Sequence, residues 1–191
     1  MAGPSGPAYL SQSSGFLYEV TNPHHMFHLP DPEKFRMKDK LEEAIKRAKE
    51  KNPAAKLVRI FGMNLNPDGT VMLGQQGKFT PRWEYAFKDD KNGEAPPQFI
   101  TVLFMAPKVP MVNANAGNVS DMPSFSDEQL GMLANSDLAA KAFLAIPDYK
   151  PFIGNDNESI VYLIQDNKPV IHLTNWKGQM VRLDAITLEK L

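Results

Sequence analysis

The sequence predicts an α+β fold built from two consecutive units, each a helix followed by a meander of antiparallel strands. Three observations predict it. The last third of the chain reads as three short strands, an amphipathic helix pattern occupies part of the first half, and the order helix, proline-bearing turn and strands occurs in both halves. We therefore expect, in each half, a curved sheet that packs on a helix.

Length and composition bound the class of protein. The 191 residues include 21 basic and 22 acidic side chains and no cysteine, and no apolar run is long enough to cross a bilayer. The chain has no excess of basic residues that would favour binding to a nucleic acid, and the lack of cysteine excludes disulfides and thiolate metal sites. We expect no cofactor, no nucleic-acid partner and no transmembrane segment.

Residues 1–30 are expected to form a tether and N-terminal extension. Their glycine, proline and serine content is typical of a flexible linker, which in the native gene product could follow an export signal or carry a lipid anchor. Phe16–Val20 reads as a short strand or an apolar peg. His24, His25 and His28 could ligate a metal, but only His172 remains elsewhere, and we expect a loop without a metal site.

The first unit is predicted to span residues 31–112. Asp31-Pro32-Glu33 reads as the start of an amphipathic helix. Thr70–Leu73 is expected to pair with the strand that precedes it, and Lys108–Val112, which contains a proline and follows another, is expected at a sheet edge or in an extended exit. The predicted strands are Lys56–Met63, Thr70–Leu73, Arg82–Lys88 and Phe99–Met105, the last of them central.

An aromatic row lies on one face of the predicted strand Arg82–Lys88. Trp83, Tyr85 and Phe87 alternate with charged residues, as in a strand that buries one side. Such a row is either a platform for a ligand or the core face of a sheet that a helix covers. Trp83 and Tyr85 are therefore candidate binding residues.

A linker is predicted at residues 113–125, and the second unit at residues 126–191. Asn113–Asn118 is small, polar and without periodicity, which favours a linker. Ser126–Gln129 has the pattern of a reciprocal helix cap, and Ser136-Asp137 begins another helix. The final meander is predicted as Ile160–Gln165, Val170–Thr174 and Met180–Ile186.

Three residues of this meander are candidates for function. His172 and Asp184 lie on neighbouring predicted strands, where they would form either an acid–base pair or a cross-strand hydrogen bond. No serine is marked as a nucleophile, so we prefer the hydrogen-bonded pair. Trp176 lies in a predicted turn, where it would fold back on the core or serve as an exposed anchor for a partner.

These motifs resemble the PepSY-like repeats of bacterial exported proteins and lipoproteins. The resemblance rests on Ser136–Ala142, Pro169–Thr174 and Gly178–Thr187, and in the first half on Leu57–Gly62 and Arg82–Phe87. It departs from the pattern where Leu188 replaces a closing glycine. The resemblance implies a cystatin-like wrap of a sheet around a helix, a location outside the cytoplasm, and a binding or peptidase-modulating role.

The sequence thus favours a non-catalytic, extracytoplasmic binding module with a protein or peptide partner. Its candidate binding residues are Trp83, Tyr85, His172 and Trp176. The alternatives are a structural component or spacer of a cell-envelope assembly and a hydrolase that uses His172 and Asp184. The oligomeric state is left open.

Overall fold

The computed structural model describes residues 32–75, 80–89, 98–116, 122–147, 149–151, 158–175 and 177–191. In this part the protein is a mixed α+β fold with few helices and antiparallel strand pairing. The elements are β1 (Glu33–Phe35), α1 (Leu41–Lys51), β2 (Ala55–Met63), β3 (Val71–Leu73), β4 (Arg82–Asp89), β5 (Gln98–Phe104), β6 (Met111–Ala116), α2 (Asp127–Met132), α3 (Ser136–Leu144), β7 (Ser159–Gln165), β8 (Lys168–Thr174) and β9 (Met180–Asp184).

Seven strands form one sheet in the order β6-β5-β4-β2-β7-β8-β9, and β1 and β3 form a second, two-stranded sheet. The middle of the large sheet is the antiparallel pair of β2 and β7, in which Phe61 lies opposite Val161. The chain therefore joins its two halves through main-chain hydrogen bonds, and the strands of each half extend outward from this central pair.

The inner face of the large sheet is the face that packs into the core with α1 and α3. Its largest side chains are fully or almost fully buried, and one hydrophobic cluster joins them to buried residues of both helices. Gly62 lets the Trp83 ring cross β2, because a Cβ atom at Gly62 would lie 2.5 Å from Trp83 Cζ3. The inner-face residues include Ile60, Trp83, Tyr85, Phe87, Val102, Phe104, Ile160, Tyr162, Ile171 and Leu183.

A polar junction ties the start of α3 to the first half of the chain. The buried Ser136 hydroxyl donates to the Gly69 carbonyl oxygen at 2.6 Å and accepts the N–H of Met37 at 3.0 Å. The Asn135 side chain accepts the N–H of Lys38 at 3.0 Å. These bonds satisfy buried polar groups that would otherwise be costly, so the second half contributes directly to the fold around α1.

The first helix begins later than the sequence analysis expects. Glu33–Phe35 is a strand that pairs with β3, and a 3-10 turn at Met37–Lys40 leads into α1. The segment begins after Arg36, whose N–H donates to Asp39 Oδ2 at 2.7 Å, so the Asp39 carboxylate reaches back and stabilises the start of the segment. The prediction of a helix from Glu33 was wrong because pairing with β3 overrides the local signal. Asp31 lies outside the described residues.

Three further predictions in the first half differ from the structure. The strand that begins near Thr70 pairs with β1, whereas β2 pairs with β4 and β7. The expected central strand is β5, which lies next to the edge strand β6. Asn113–Ala116, expected in a linker, continues β6, because its main chain pairs with β5 despite its small polar side chains.

The second half follows its prediction closely. The three strands of the meander are β7, β8 and β9, which pair in sequence order. The reciprocal cap of α2 is confirmed, since Ser126 Oγ accepts the N–H of Gln129 at 3.1 Å and Gln129 Oε1 accepts the N–H of Ser126 at 2.9 Å. Strong local signals and sequential pairing explain this agreement.

Candidate functional site

The outer face of the large sheet is the candidate site. It is the face opposite the core, which contains the buried residues of α1 and α3. Alternation along each strand directs one side chain in two to this face, and most of these side chains are half-buried or exposed. Ala86 and Val170 lie on this face and are buried, whereas its half-buried or exposed residues include Arg59, Phe61, Met63, Arg82, Glu84, Thr101, Leu103, Met111, Asn113, Val161, Leu163, His172, Thr174, Met180, Arg182 and Asp184.

Strand register brings half-buried apolar side chains to the middle of the outer face, with Glu84 between Phe61 and Leu103. Phe61 lies opposite Val161 on one side and Glu84 on the other, and Glu84 lies opposite Leu103. Leu163 lies two residues from Val161 on the same side of β7. These apolar side chains are half-buried, so they form a partly solvated stripe on a sheet face.

Charged side chains are held in place around this stripe. Arg59 Nη2 and Glu84 Oε1 form an ion pair at 2.7 Å, with the side chains 37% and 19% exposed. The Arg82 guanidinium lies 5.4 Å from the Phe61 ring centroid, a cation–π contact. Arg59 Nε is buried and has no hydrogen-bond partner in the structure as described. The outer face thus presents guanidinium groups held by an ion pair and an aromatic ring beside apolar side chains.

His172 lies on the outer face but does not meet Asp184. In the register of β8 and β9, His172 is opposite Arg182, and Val170 is opposite Asp184. The imidazole Nε2 is 3.3 Å from Gln165 Oε1. Partial burial and, secondly, the Arg182 charge lower the pKa of His172 below its usual value.

The Asp184 carboxylate caps the turn that follows β9. Its Oδ1 accepts the N–H of Ile186 at 2.8 Å and the N–H of Thr187 at 2.9 Å. The hydrogen bond from the Thr187 main chain is the largest cause that lowers the pKa of Asp184, and the bond from Ile186 adds to it. The expected hydrogen bond between His172 and Asp184 is therefore not formed, because a two-residue offset in register separates the two side chains.

Trp83 and Tyr85 are on the inner face, and both are 0% exposed. Trp83 Nε1 donates to the Phe35 carbonyl oxygen at 2.9 Å, and the Tyr85 hydroxyl donates to the Met37 carbonyl oxygen at 2.6 Å. Burial, with a smaller effect of Asp39, raises the pKa of Tyr85 well above its usual value. These side chains fasten the segment before α1 to β4 and offer no surface to a ligand in this conformation.

Two other sequence candidates have different outcomes. Trp176 and the group His24, His25 and His28 lie outside the described residues. Among the residues that are described, no three histidine, aspartate or glutamate side chains are grouped as metal ligands would be. In the same part of the chain, no helix is both long and apolar enough to span a bilayer.

The sequence reasoning missed the apolar members of the outer face. Phe61, Leu103, Val161 and Leu163 lie in nearly continuous apolar runs, which periodicity alone does not divide between two faces. The charged residues of β4 were a visible signal, since Arg82, Glu84 and Lys88 alternate with the aromatic row. To know which residues of the neighbouring strands share a face with these charged residues, one also needs the pairing register of the strands.

Comparison with known proteins gave no match to a family model, to a curated protein or to a solved structure.

Proposed function

We propose that this chain is a non-catalytic protein-binding module that docks a folded partner on the outer face of its large sheet. The observation that carries the proposal is the apolar pair of Phe61 and Val161, with Leu103 beyond Glu84, flanked by Arg59 and Arg82 on the face opposite the core. Protein interfaces commonly combine an apolar centre with arginine and a polar rim.

The contacts that hold the two arginines in place favour a role in binding over a merely solvent-exposed surface. Arg59 is held by Glu84 and Arg82 by the Phe61 ring, so little side-chain entropy remains to be lost when a partner contacts them. The Arg59 side chain is 37% exposed, so an acceptor oxygen of a bound protein has access to part of it. The partner surface should therefore carry acceptor oxygens next to an apolar patch.

We also propose that the two halves are PepSY-like repeats, each a helix with its own strands, and that the chain acts outside the cytoplasm. In both halves a helix precedes the strand that enters the centre of the sheet, α1 before β2 and α3 before β7. By the resemblance, the expected partner is a peptidase that the module modulates. The hydrolase reading is not favoured, since His172 and Asp184 engage different groups.

The test begins with the full chain as bait in an extract of the native cell envelope. A protein retained in stoichiometric amount is identified, purified and titrated by calorimetry with the wild-type chain. Val161→Lys places a charge directly beside Phe61 on the outer face, and we expect it to weaken binding at least about tenfold while the fold is retained. Circular dichroism checks the fold.

The matched control is Leu138→Lys, because Leu138 is 51% exposed on α3 and does not belong to the outer face. This variant should bind like the wild type. If Val161→Lys binds the purified partner as tightly as Leu138→Lys does, the outer face is not the docking surface. A retained peptidase would support the modulating role, whereas a structural envelope protein would favour the spacer alternative.

A further inference from the structure

The two edge strands of the large sheet, β9 and β6, differ in their main-chain pairing. At the β9 edge the C-terminal residues pair with the strand, with the N–H of Asp184 donating to the Glu189 carbonyl oxygen at 2.9 Å and the N–H of Leu191 to that of Arg182 at 3.1 Å. At the other edge, β6 pairs with β5, and no other strand of the described residues lies on its second side. One edge is closed by the protein itself.

The sequence of β6 lacks the usual protection of an edge strand. Met111–Ala116 contains no charged residue and no proline, although natural sheets commonly place such residues on open edges to prevent strand addition. Pro110 stands just before the strand, outside its pairing region. Among the described residues, the main-chain groups on the second side of β6 have no pairing strand.

A basic groove lies beside this edge, on the side of the sheet that carries α1. It has a volume of about 490 Å³ and lies between the later part of α1 and the connection from β5 to β6. Its charged residues are Arg47, Lys51 and Lys108 against the single acidic residue Glu50, which pairs with Arg47 at 3.3 Å. Within the described chain, Lys51 and Lys108 have no ion-pair partner.

The groove and the open edge share a strand. Val112 lines the groove and belongs to β6, where it lies opposite Val102. In an added strand, side chains on one face repeat at about 6.7 Å, so every second residue would face the groove. Carboxylates at those positions would meet the ammonium groups of Lys51 and Lys108.

We propose that β6 binds an extended acidic segment of a partner protein as an eighth strand, with alternate aspartate or glutamate side chains over the basic groove. Main-chain pairing supplies most of the affinity, and the two lysines supply the selection for acidic sequence. This surface is separate from the outer face, so the inference goes beyond the proposed function and does not depend on it.

The probe is a short fluorescent peptide of alternating valine and glutamate, added to the full chain, with a peptide of alternating valine and lysine for comparison. We expect the acidic peptide to bind and to slow amide hydrogen exchange in β6, and its affinity to fall as salt increases. The basic peptide should bind at least about tenfold more weakly.

Two double variants distinguish the effect of the groove lysines from the effect of a change in net charge. Lys51→Glu with Lys108→Glu should lower the affinity for the acidic peptide about tenfold, whereas Lys141→Glu with Lys150→Glu makes the same change in net charge elsewhere and should leave it within about twofold. Equal losses of affinity for the acidic peptide in the two double variants would show that the groove does not select acidic sequence. The proposal that β6 accepts an added strand would be wrong if amide hydrogen exchange in β6 does not change when the peptide is added. This includes the case in which the amides of β6 are already protected in the free chain.

Discussion

The inner and outer faces of the large sheet come from the same strands but have different chemistry. On the inner face, Trp83, Tyr85 and Tyr162 are 0% exposed and belong to the core. On the outer face, the apolar residues Phe61 and Val161 are half-buried, and arginines held by an ion pair and an aromatic ring lie beside them. In β4 the aromatic row therefore identifies the core, while the residues that alternate with it belong to the face that we propose for binding.

The largest expected difference between the two faces is in stability, and it is tested by removing one aromatic ring from each face. Trp83→Ala should lower the free energy of unfolding by about 3–5 kcal/mol, because it empties a buried site and breaks the bond to the Phe35 carbonyl. Phe61→Ala should cost only about 1 kcal/mol, because the ring is already partly solvated. Urea unfolding followed by circular dichroism measures both values, and similar losses in the two variants would contradict the assignment of the faces.

A smaller test compares two buried tyrosines within the inner face. Tyr85→Phe should cost about 1–2 kcal/mol, since it leaves the Met37 carbonyl without the hydroxyl that donates to it at 2.6 Å. Tyr162→Phe should be nearly neutral or stabilising, because the Tyr162 hydroxyl is buried without a hydrogen-bond partner among the described residues. The same urea experiment distinguishes them. A greater loss for Tyr162→Phe would instead indicate a partner for that hydroxyl, such as a bound water.

The smallest effect concerns pH and the outer face. Burial and the Arg182 charge lower the pKa of His172 in the folded chain, so below the usual histidine pKa the unfolded chain binds more protons than the folded one. The stability contributed by His172 is therefore complete above that usual pKa and is lost as the pH falls through the folded-state pKa. Between about pH 7.5 and about pH 5 the wild-type urea midpoint should fall more than that of His172→Gln. An identical fall in both proteins would show that His172 titrates as it does in the unfolded chain.

Local signals were sufficient for much of the second half. The Ser126–Gln129 cap and the three strands of the final meander were predicted within two residues of their observed ends from residue type and alternation, because each is completed by neighbours in sequence. The wrong helix start near Glu33 and the strand within the expected linker depend on pairing with distant segments, β3 and β5. Residue type in a short window does not encode such pairing.

The candidate site was harder to predict than the fold. His172 was selected from the sequence and does lie on the outer face, but its expected bond to Asp184 depended on a register that the residues do not specify. Trp83 and Tyr85 were visible as an aromatic row, and either interpretation of that row was open until the position of α1 was known. The outer face was not recognised because its apolar members Phe61, Leu103, Val161 and Leu163 come from three separate strands.

The central pairing of β2 with β7 also has a consequence for how the chain is made. Arg59 pairs with Leu163, about a hundred residues later, so closing this contact carries a large loop entropy and favours slow folding. During synthesis the first half is complete before β7 has left the ribosome, and one edge of β2 then has no strand to pair with. For that interval the middle of the future sheet is an exposed edge, which makes the nascent chain depend on rapid completion or on a chaperone to avoid aggregation.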